Sequence, residues 1–214
     1  MTETQARQSL IDSALQLNAQ GINHGSAGNL SLRWREGYLI TPSGMAYDQI
    51  GPDDIVFMDF NGKIEGLRKP SSEWRFHHDI YAARPEIGAV IHTHSRFATT
   101  LACLRREVPA FHYMIALAGG HTIRCAPYAT FGTQQLSDYA LQALDGRLAC
   151  LLGNHGLLVL GTDLPRAQAL TTEVENLCEM YWRALQLGEP VILPDDEMAR
   201  VQEKFCHYGA NAQD

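Results

Sequence analysis

Lysine is scarce in this chain of 214 residues: Lys63, Lys69 and Lys204 are its only three. None stands in an apolar stretch where desolvation would depress its pKa, so covalent catalysis through a lysine Schiff base is not expected. Runs of basic residues are also missing, and 17 Lys+Arg against 24 Asp+Glu leave a net charge of −7. Such a chain offers no cationic track for a nucleic-acid backbone. A phosphate recognised here would be a single group held by backbone N–H, Ser and Thr. Paired cysteines are lacking too. Cys103, Cys125, Cys150, Cys178 and Cys206 are odd in number, widely spaced and free of any CxxC, the usage of reduced thiols. The polar start "MTETQARQSL" has no apolar signal core, and no run reaches membrane-spanning length. The expectation is a cytoplasmic chain without nucleic-acid or membrane partners.

Apolar residues make up 45% of the chain, enough for a sizeable core. Without repeats, low-complexity tracts or Gly/Ser linkers, residues 1–214 are expected to form one α/β domain, with helices layered on a sheet joined mostly by hairpins. "TETQARQSLIDSALQLNAQG" reads as a helix with a Thr2/Gln5 capping box, stopped near Gly21. "NLSLRWREGYLI" reads as two strands around a turn near Glu36-Gly37, and "DIVFMDFNGKIEG" as a hairpin with a type I′ turn at Asn61-Gly62. "SSEWRFHHDIYAARP" predicts a helix opened by Ser71 or Ser72. The strand "GAVIHTH" follows, then a helix through "FATTLACL". "HTIRCAPYATFGT" gives a strand and a loop, and "TQQLSDYALQALDG" a helix. "ACLLGNHGLLVLG" predicts two strands joined by "GNHG". The longest helix has Pro165 in its first turn, and a short helix through "DDEMARVQEKF" ends the pattern.

"AVIHTHSRF" places His92 and His94 two residues apart in an apolar strand, so their imidazoles project from one face. A same-face pair suits a divalent metal of the zinc type; two ordinary hydrogen-bonded histidines are the plainer reading. A third ligand must come from elsewhere. His155, in a turn flanked by Gly153 and Gly156, is the first choice. His77, four residues after Glu73 on the same helix face, is the rival. Glu73 follows two serines in the first turn of its helix, where it serves either the site or merely the helix dipole.

In combination, "GSAGNLSLR", "LITPSG", "KPSSEWRFH", "AVIHTHS", "HYMIALAGG", "CAPYATFGT" and "NHGLL" resemble the class II, zinc-dependent sugar-phosphate aldolase/adducin-head family. The resemblance spans nearly the whole chain. It implies a three-layer α/β fold with a central, mainly antiparallel sheet flanked by helices, assembled as a homotetramer with active sites at subunit interfaces. It also implies one Zn2+ per chain on His92, His94 and His155, with Glu73 as a further ligand in the resting state and as acid/base. The phosphate pocket falls on Asn29, Ser43, Gly44, Ser71 and Ser72, with Ser26 and Gly28 shaping the first loop. A catalytic tyrosine from a neighbouring subunit matches Tyr113, and a tyrosine that closes over the site matches Tyr208. The implied reaction is reversible cleavage of a ketose 1-phosphate, of the L-fuculose 1-phosphate type, to dihydroxyacetone phosphate and an aldehyde such as L-lactaldehyde. Fucose degradation is then the pathway expected.

Three alternatives share the fold. Pentulose-phosphate 4-epimerases tend to carry Asp where Glu73 follows the paired serines, and need a second acid/base Asp that "FHYMIALAGG" lacks. Sugar-acid phosphate decarboxylases usually have Lys where Ser72 stands. A non-catalytic adducin-head-like binding domain would not need the His, Glu and Tyr set. One departure concerns specificity: Asn154 stands where members cleaving L-fuculose 1-phosphate tend to have a second His.

Overall fold

The computed structural model describes residues 1–207. Helix α1 (Glu3–Ala19) is opened by the expected box: Gln5 N–H donates to Thr2 Oγ1 at 3.3 Å, and Thr2 N–H donates to Gln5 Oε1 at 2.8 Å. Strands β1 (Asn29–Trp34), β2 (Gly37–Ile40), β3 (Val56–Asp59) and β4 (Ile64–Glu65) then form a meander. Helix α2 (Trp74–Ala83), strand β5 (Ala89–Thr93) and helix α3 (Arg96–Cys103) carry the chain across the sheet. A 3₁₀ segment (Tyr113–Ala118) leads to β6 (Arg124–Ala126), α4 (Gln134–Ala143), β7 (Ala149–Leu152) and β8 (Gly156–Gly161). Helices α5 (Leu164–Leu187) and α6 (Asp195–His207) complete the described chain.

The eight strands form one sheet in the order β4-β3-β2-β1-β5-β8-β7-β6, antiparallel except for β6 beside β7. Side-chain alternation divides its apolar residues between two layers. Leu30, Leu39, Ile91, Leu157 and Val159 face α1, α3 and α5, whereas Tyr38, Met58, Val90, Leu158 and Leu160 face α2 and α4. Strand β5 is buried along its whole length, between β1 and β8 and under both layers. Hence its apolar run shows no alternation of hydrophobic and polar residues. The expected fold class holds. No helix among the described residues is long and apolar enough to cross a membrane.

Two local expectations are corrected and one is sharpened. The Asn61-Gly62 turn is not type I′, because only Gly62 has positive φ (+84°). Asp59 sets the loop instead, its Oδ1 accepting from the N–H groups of Asn61 and Lys63, both at 2.8 Å. The β1–β2 turn is Arg35-Glu36, and Gly37 already belongs to the ladder opposite Asp59. Helix α2 begins at Trp74, so Glu73 is its N-cap residue rather than a member of its first turn. Ser71 Oγ takes up the Glu73 N–H at 3.3 Å, a serine turn that delays the helix.

Candidate active site

The site lies at one end of the central strands, where β1 and β8 begin and β5 finishes. Asn29 pairs with His92 across β1–β5, and Thr93 with Leu157 across β5–β8. His92 is the penultimate residue of β5, while His94 lies just beyond it. His155 sits in the β7–β8 turn, which Asn154 enters with φ +55°. This turn is clamped to α3: Asn154 Nδ2 donates to Cys103 C=O and Asn154 N–H to Ala102 C=O, while Arg105 donates to Asn154 Oδ1. Glycine is required at two contacts. A Cβ on Gly156 would lie 2.3 Å from Thr93 O and 3.1 Å from the rings of His92 and His94. On Gly28, whose φ is +74°, it would lie 2.4 Å from His92 O.

These backbone contacts draw four side chains together. His92 Nε2 lies 3.1 Å from His94 Nε2, and the three imidazole centroids are 4.7 to 5.1 Å apart. Glu73 approaches from α2, with Oε2 3.3 Å from His92 Nε2 and Oε1 3.2 Å from His155 Nε2. One ligand atom from each of the four falls within 4.8 Å of the others. His92 Nδ1 donates to Leu157 C=O at 2.9 Å, which leaves the Nε2 lone pair aimed into the cluster. Burial lowers the His92 pKa to about 3 and that of His155 to about 4, so both are neutral and able to donate lone pairs at physiological pH. Glu73 Oε1 is buried and makes no hydrogen bond despite its nearness to His155. Converging lone pairs and an unsatisfied carboxylate oxygen fit a divalent cation held by three nitrogens and one oxygen.

His77 does not join this group. Both its ring nitrogens are engaged 2.6 Å from neighbours, Nδ1 at Ser31 Oγ and Nε2 at Asn29 Oδ1. Asn29 Nδ2 in turn donates to Glu73 Oε2 at 2.9 Å. The carboxamide assigned to phosphate therefore has its oxygen and one N–H committed to buried partners.

Beside the four residues opens a cavity of ≈370 Å³. Ser43, Gly44, Ser71 and Ser72 line one side, with Ser26 and Gly28 in the adjoining loop. Segments 41–44 and 69–72 run alongside each other, with Ser43 N–H donating to Lys69 C=O and Ser71 N–H to Thr41 C=O, both at 3.0 Å. Tyr47 O–H donates to Ala27 C=O and supports the first loop. Tyr128 and Phe131, 50% and 64% exposed, also line the cavity, from a loop whose Gly132 abuts the Ser72 carbonyl. Sequence reasoning missed this pair. Its signal was two aromatics in a Pro-, Gly- and Thr-rich loop with no helical or strand period. The loop is held to α2 by Arg75 Nε, which donates to Gly132 C=O at 3.0 Å.

Tyr113 does not line the cavity. It stands 49% exposed at the start of the 3₁₀ segment, its ring against Phe205 with centroids 6.2 Å apart. Tyr208 lies outside the described residues.

Residues 8–182 match the family model described as Class II Aldolase and Adducin N-terminal domain. A 5-methylthioribulose-1-phosphate/5-deoxyribulose-1-phosphate aldolase of Rhodospirillum rubrum is 59% identical over 207 residues, covering 97% of this chain and 94% of its own. An L-fuculose phosphate aldolase of Escherichia coli is 47% identical over 210 residues, covering 98% and 97%. A solved structure of an L-fuculose 1-phosphate aldolase superposes with a TM-score of 0.93 at 45% identity, covering 96% of this chain and 98% of that one. With a matching family model and aldolases similar along nearly their full lengths, the chain belongs to the class II aldolase and adducin N-terminal domain family, as one of its aldolases.

Proposed function

We propose that this protein is a zinc-dependent aldolase cleaving 5-deoxypentulose 1-phosphates between C3 and C4, including the 5-methylthio derivative. The products are dihydroxyacetone phosphate and a two-carbon aldehyde with an apolar tail. The two exposed aromatic rings of Tyr128 and Phe131 lining the same cavity as the four-residue centre are the observation that carries the substrate reading. Exposed rings at a cavity mouth favour a methyl or methylthio group. The 59% identity to an aldolase named for such substrates points the same way. L-fuculose 1-phosphate, which would give L-lactaldehyde, is the second reading, supported by the 47% relative and the close structural likeness.

His92, His94, His155 and, in the resting state, Glu73 would hold one Zn2+ per chain. When bound, the metal supplies Lewis-acid stabilisation of the negative charge left on the triose fragment. Ser43, Gly44, Ser71 and Ser72 would hold the phosphate through hydroxyl and backbone N–H groups, together with the remaining N–H of Asn29. Ser26 and Gly28 shape the adjoining loop. Binding energy at that remote group fixes the reacting carbons. As C3–C4 breaks, its electron pair stays with C3, Glu73 delivers a proton there, and the C4 hydroxyl proton leaves through Tyr113. The condensation runs these transfers backwards. Since Tyr113 does not line the cavity of its own chain, it would come from a neighbouring subunit of a homotetramer. Tyr208 would close over the site.

The test is to incubate the zinc-loaded enzyme separately with 5-deoxyribulose, 5-methylthioribulose and L-fuculose 1-phosphates and follow dihydroxyacetone phosphate. The expected order of kcat/KM places both 5-deoxy substrates above L-fuculose 1-phosphate. The reverse order would replace the first reading with the second, and an epimerised ketose phosphate without triose phosphate would end both.

A further inference from the structure

Beneath the four-residue centre runs a buried polar file whose inner members, His77, Ser31 and Tyr81, have no assigned role. Tyr81 OH lies 2.9 Å from Ser31 Oγ, which lies 2.6 Å from His77 Nδ1. His77 Nε2 lies 2.6 Å from Asn29 Oδ1, and Asn29 Nδ2 lies 2.9 Å from Glu73 Oε2. Residues 29, 31, 73, 77 and 81 are all buried, with His77 at 0% exposure. The members come from β1 and α2 alone. Asn29 and Ser31 are two apart on one strand face, while Glu73, His77 and Tyr81 recur every four residues along the helix.

The direction of every bond in the file follows from its end. A carboxylate only accepts, so Asn29 must turn its NH2 toward Glu73 and its oxygen toward His77. That oxygen also only accepts, so His77 carries its proton on Nε2. The Nδ1 lone pair then accepts from the Ser31 hydroxyl, whose oxygen accepts from Tyr81. The stacked ring of Phe76, 4.7 Å from His77 and inclined 29° to it, keeps the imidazole in that plane.

We propose that His77 is the positioning residue for Glu73, locking Asn29 in the one orientation that fixes Oε2 by a hydrogen bond and leaves Oε1 for the metal centre. The catalytic part of this statement rests on the function proposed for Glu73, whereas its geometric part does not. With the Nε2–H donor removed, the buried Asn29 oxygen loses its partner and the amide is held from one end only. Asn29 can then shift away to satisfy its oxygen, and Glu73 loses the fixed hydrogen bond that positions Oε2.

The experiment compares wild type with His77→Gln, which keeps an N–H near the Nε2 position, and His77→Leu, which keeps volume without a donor. In the zinc-loaded wild type, long-range proton–nitrogen spectra of the imidazoles should show His77 as the Nε2–H tautomer. Zinc titration by dye competition should show affinity weakened about 10- to 100-fold in His77→Leu and largely restored in His77→Gln. On whichever ketose 1-phosphate the wild type cleaves, kcat should fall by a similar factor in His77→Leu, with KM within about threefold, and recover in His77→Gln. An Nδ1–H tautomer, or zinc affinity unchanged in His77→Leu, would overturn the proposal. If His77→Leu does not fold, the wild-type tautomer and the Gln variant decide. If the wild type cleaves no ketose 1-phosphate, the function proposed above fails, while the spectra and zinc titration still judge His77.

Discussion

Glu73 answers to three neighbours at once: the Asn29 amide on one oxygen, His155 near the other, and His92 beside the first. Its backbone contributes as well, since the N-cap position and the serine turn direct the carboxylate into the sheet end. With the proton transfer at C3 assigned to this group, Glu73→Gln should lower kcat by about 100-fold or more. Ser72→Ala should mainly raise KM by about tenfold, the scale of a lost hydrogen bond to a charged group. Steady-state kinetics on one substrate distinguishes them, and equal effects on both parameters would remove the division of labour. The buried imidazoles have a second consequence. Desolvation holds His77 well below the usual histidine range and His92 at about 3, whereas in the unfolded chain both regain a pKa near 6.5. Between these limits the unfolded state binds more protons, so metal-free protein should lose stability as pH falls from 7 to 5 and level off above pH 7. Each proton fully taken up on unfolding contributes a slope of about 1.4 kcal/mol per pH unit. Thermal melts with chelator present should show Tm falling over that range; a flat profile would contradict it.

The elements show why some features were legible and others not. Helix α1 announced its start through Thr2 and Gln5, and the β7–β8 hairpin through "GNHG", because local hydrogen bonds and glycine placement decide both. The His92 and His94 pair was readable from strand alternation, although His94 lies just past β5. The α2 start was misjudged because Ser71 bonds the backbone locally, a competition that cap preferences do not reveal. His77 was legible only as a histidine beside Glu73, since its partners Ser31 and Asn29 lie more than 40 positions away in sequence. Tyr128 and Phe131 gave no period at all. The turn that presents His155 offers a direct test. Gly156→Ala would push a methyl into Thr93 O and against two metal-site rings, with an expected cost of about 1–3 kcal/mol and weaker zinc binding. Gly51→Ala is the control, its nearest neighbour being 3.7 Å away. Parallel melts and zinc titrations of the two variants check this, and equal behaviour would show that the turn tolerates displacement.

At the scale of the molecule, one sheet organises both ends of the proposed chemistry. Strand β1 carries Asn29 and β5 beside it carries His92, so the ladder between them fixes the span from the proposed phosphate anchor to the proposed metal ligand. Tyr113 lies outside that frame. If a neighbouring subunit supplies it, inactive Glu73→Gln and Tyr113→Phe proteins should complement each other when subunits are exchanged. About one site in four of a random mixture would combine an intact Glu73 with an intact Tyr113. Activity returning on mixing, measured as triose phosphate release, checks the assembly; two inactive proteins that stay inactive after verified exchange would refute it.

The loop bearing Tyr128 and Phe131 joins β6 to α4 and meets the rest of the site at two places: Gly132 against the start of α2, and the Tyr128 backbone against Gly153 beside the His155 turn. The part proposed to greet the aldehyde thus lies in a loop outside the ladder, whereas Asn29 and His92 belong to paired strands. A handful of residues in that loop could be exchanged without unpicking a single strand, which gives the scaffold a route by which related enzymes diverge in the aldehyde they release while sharing one bond-breaking apparatus.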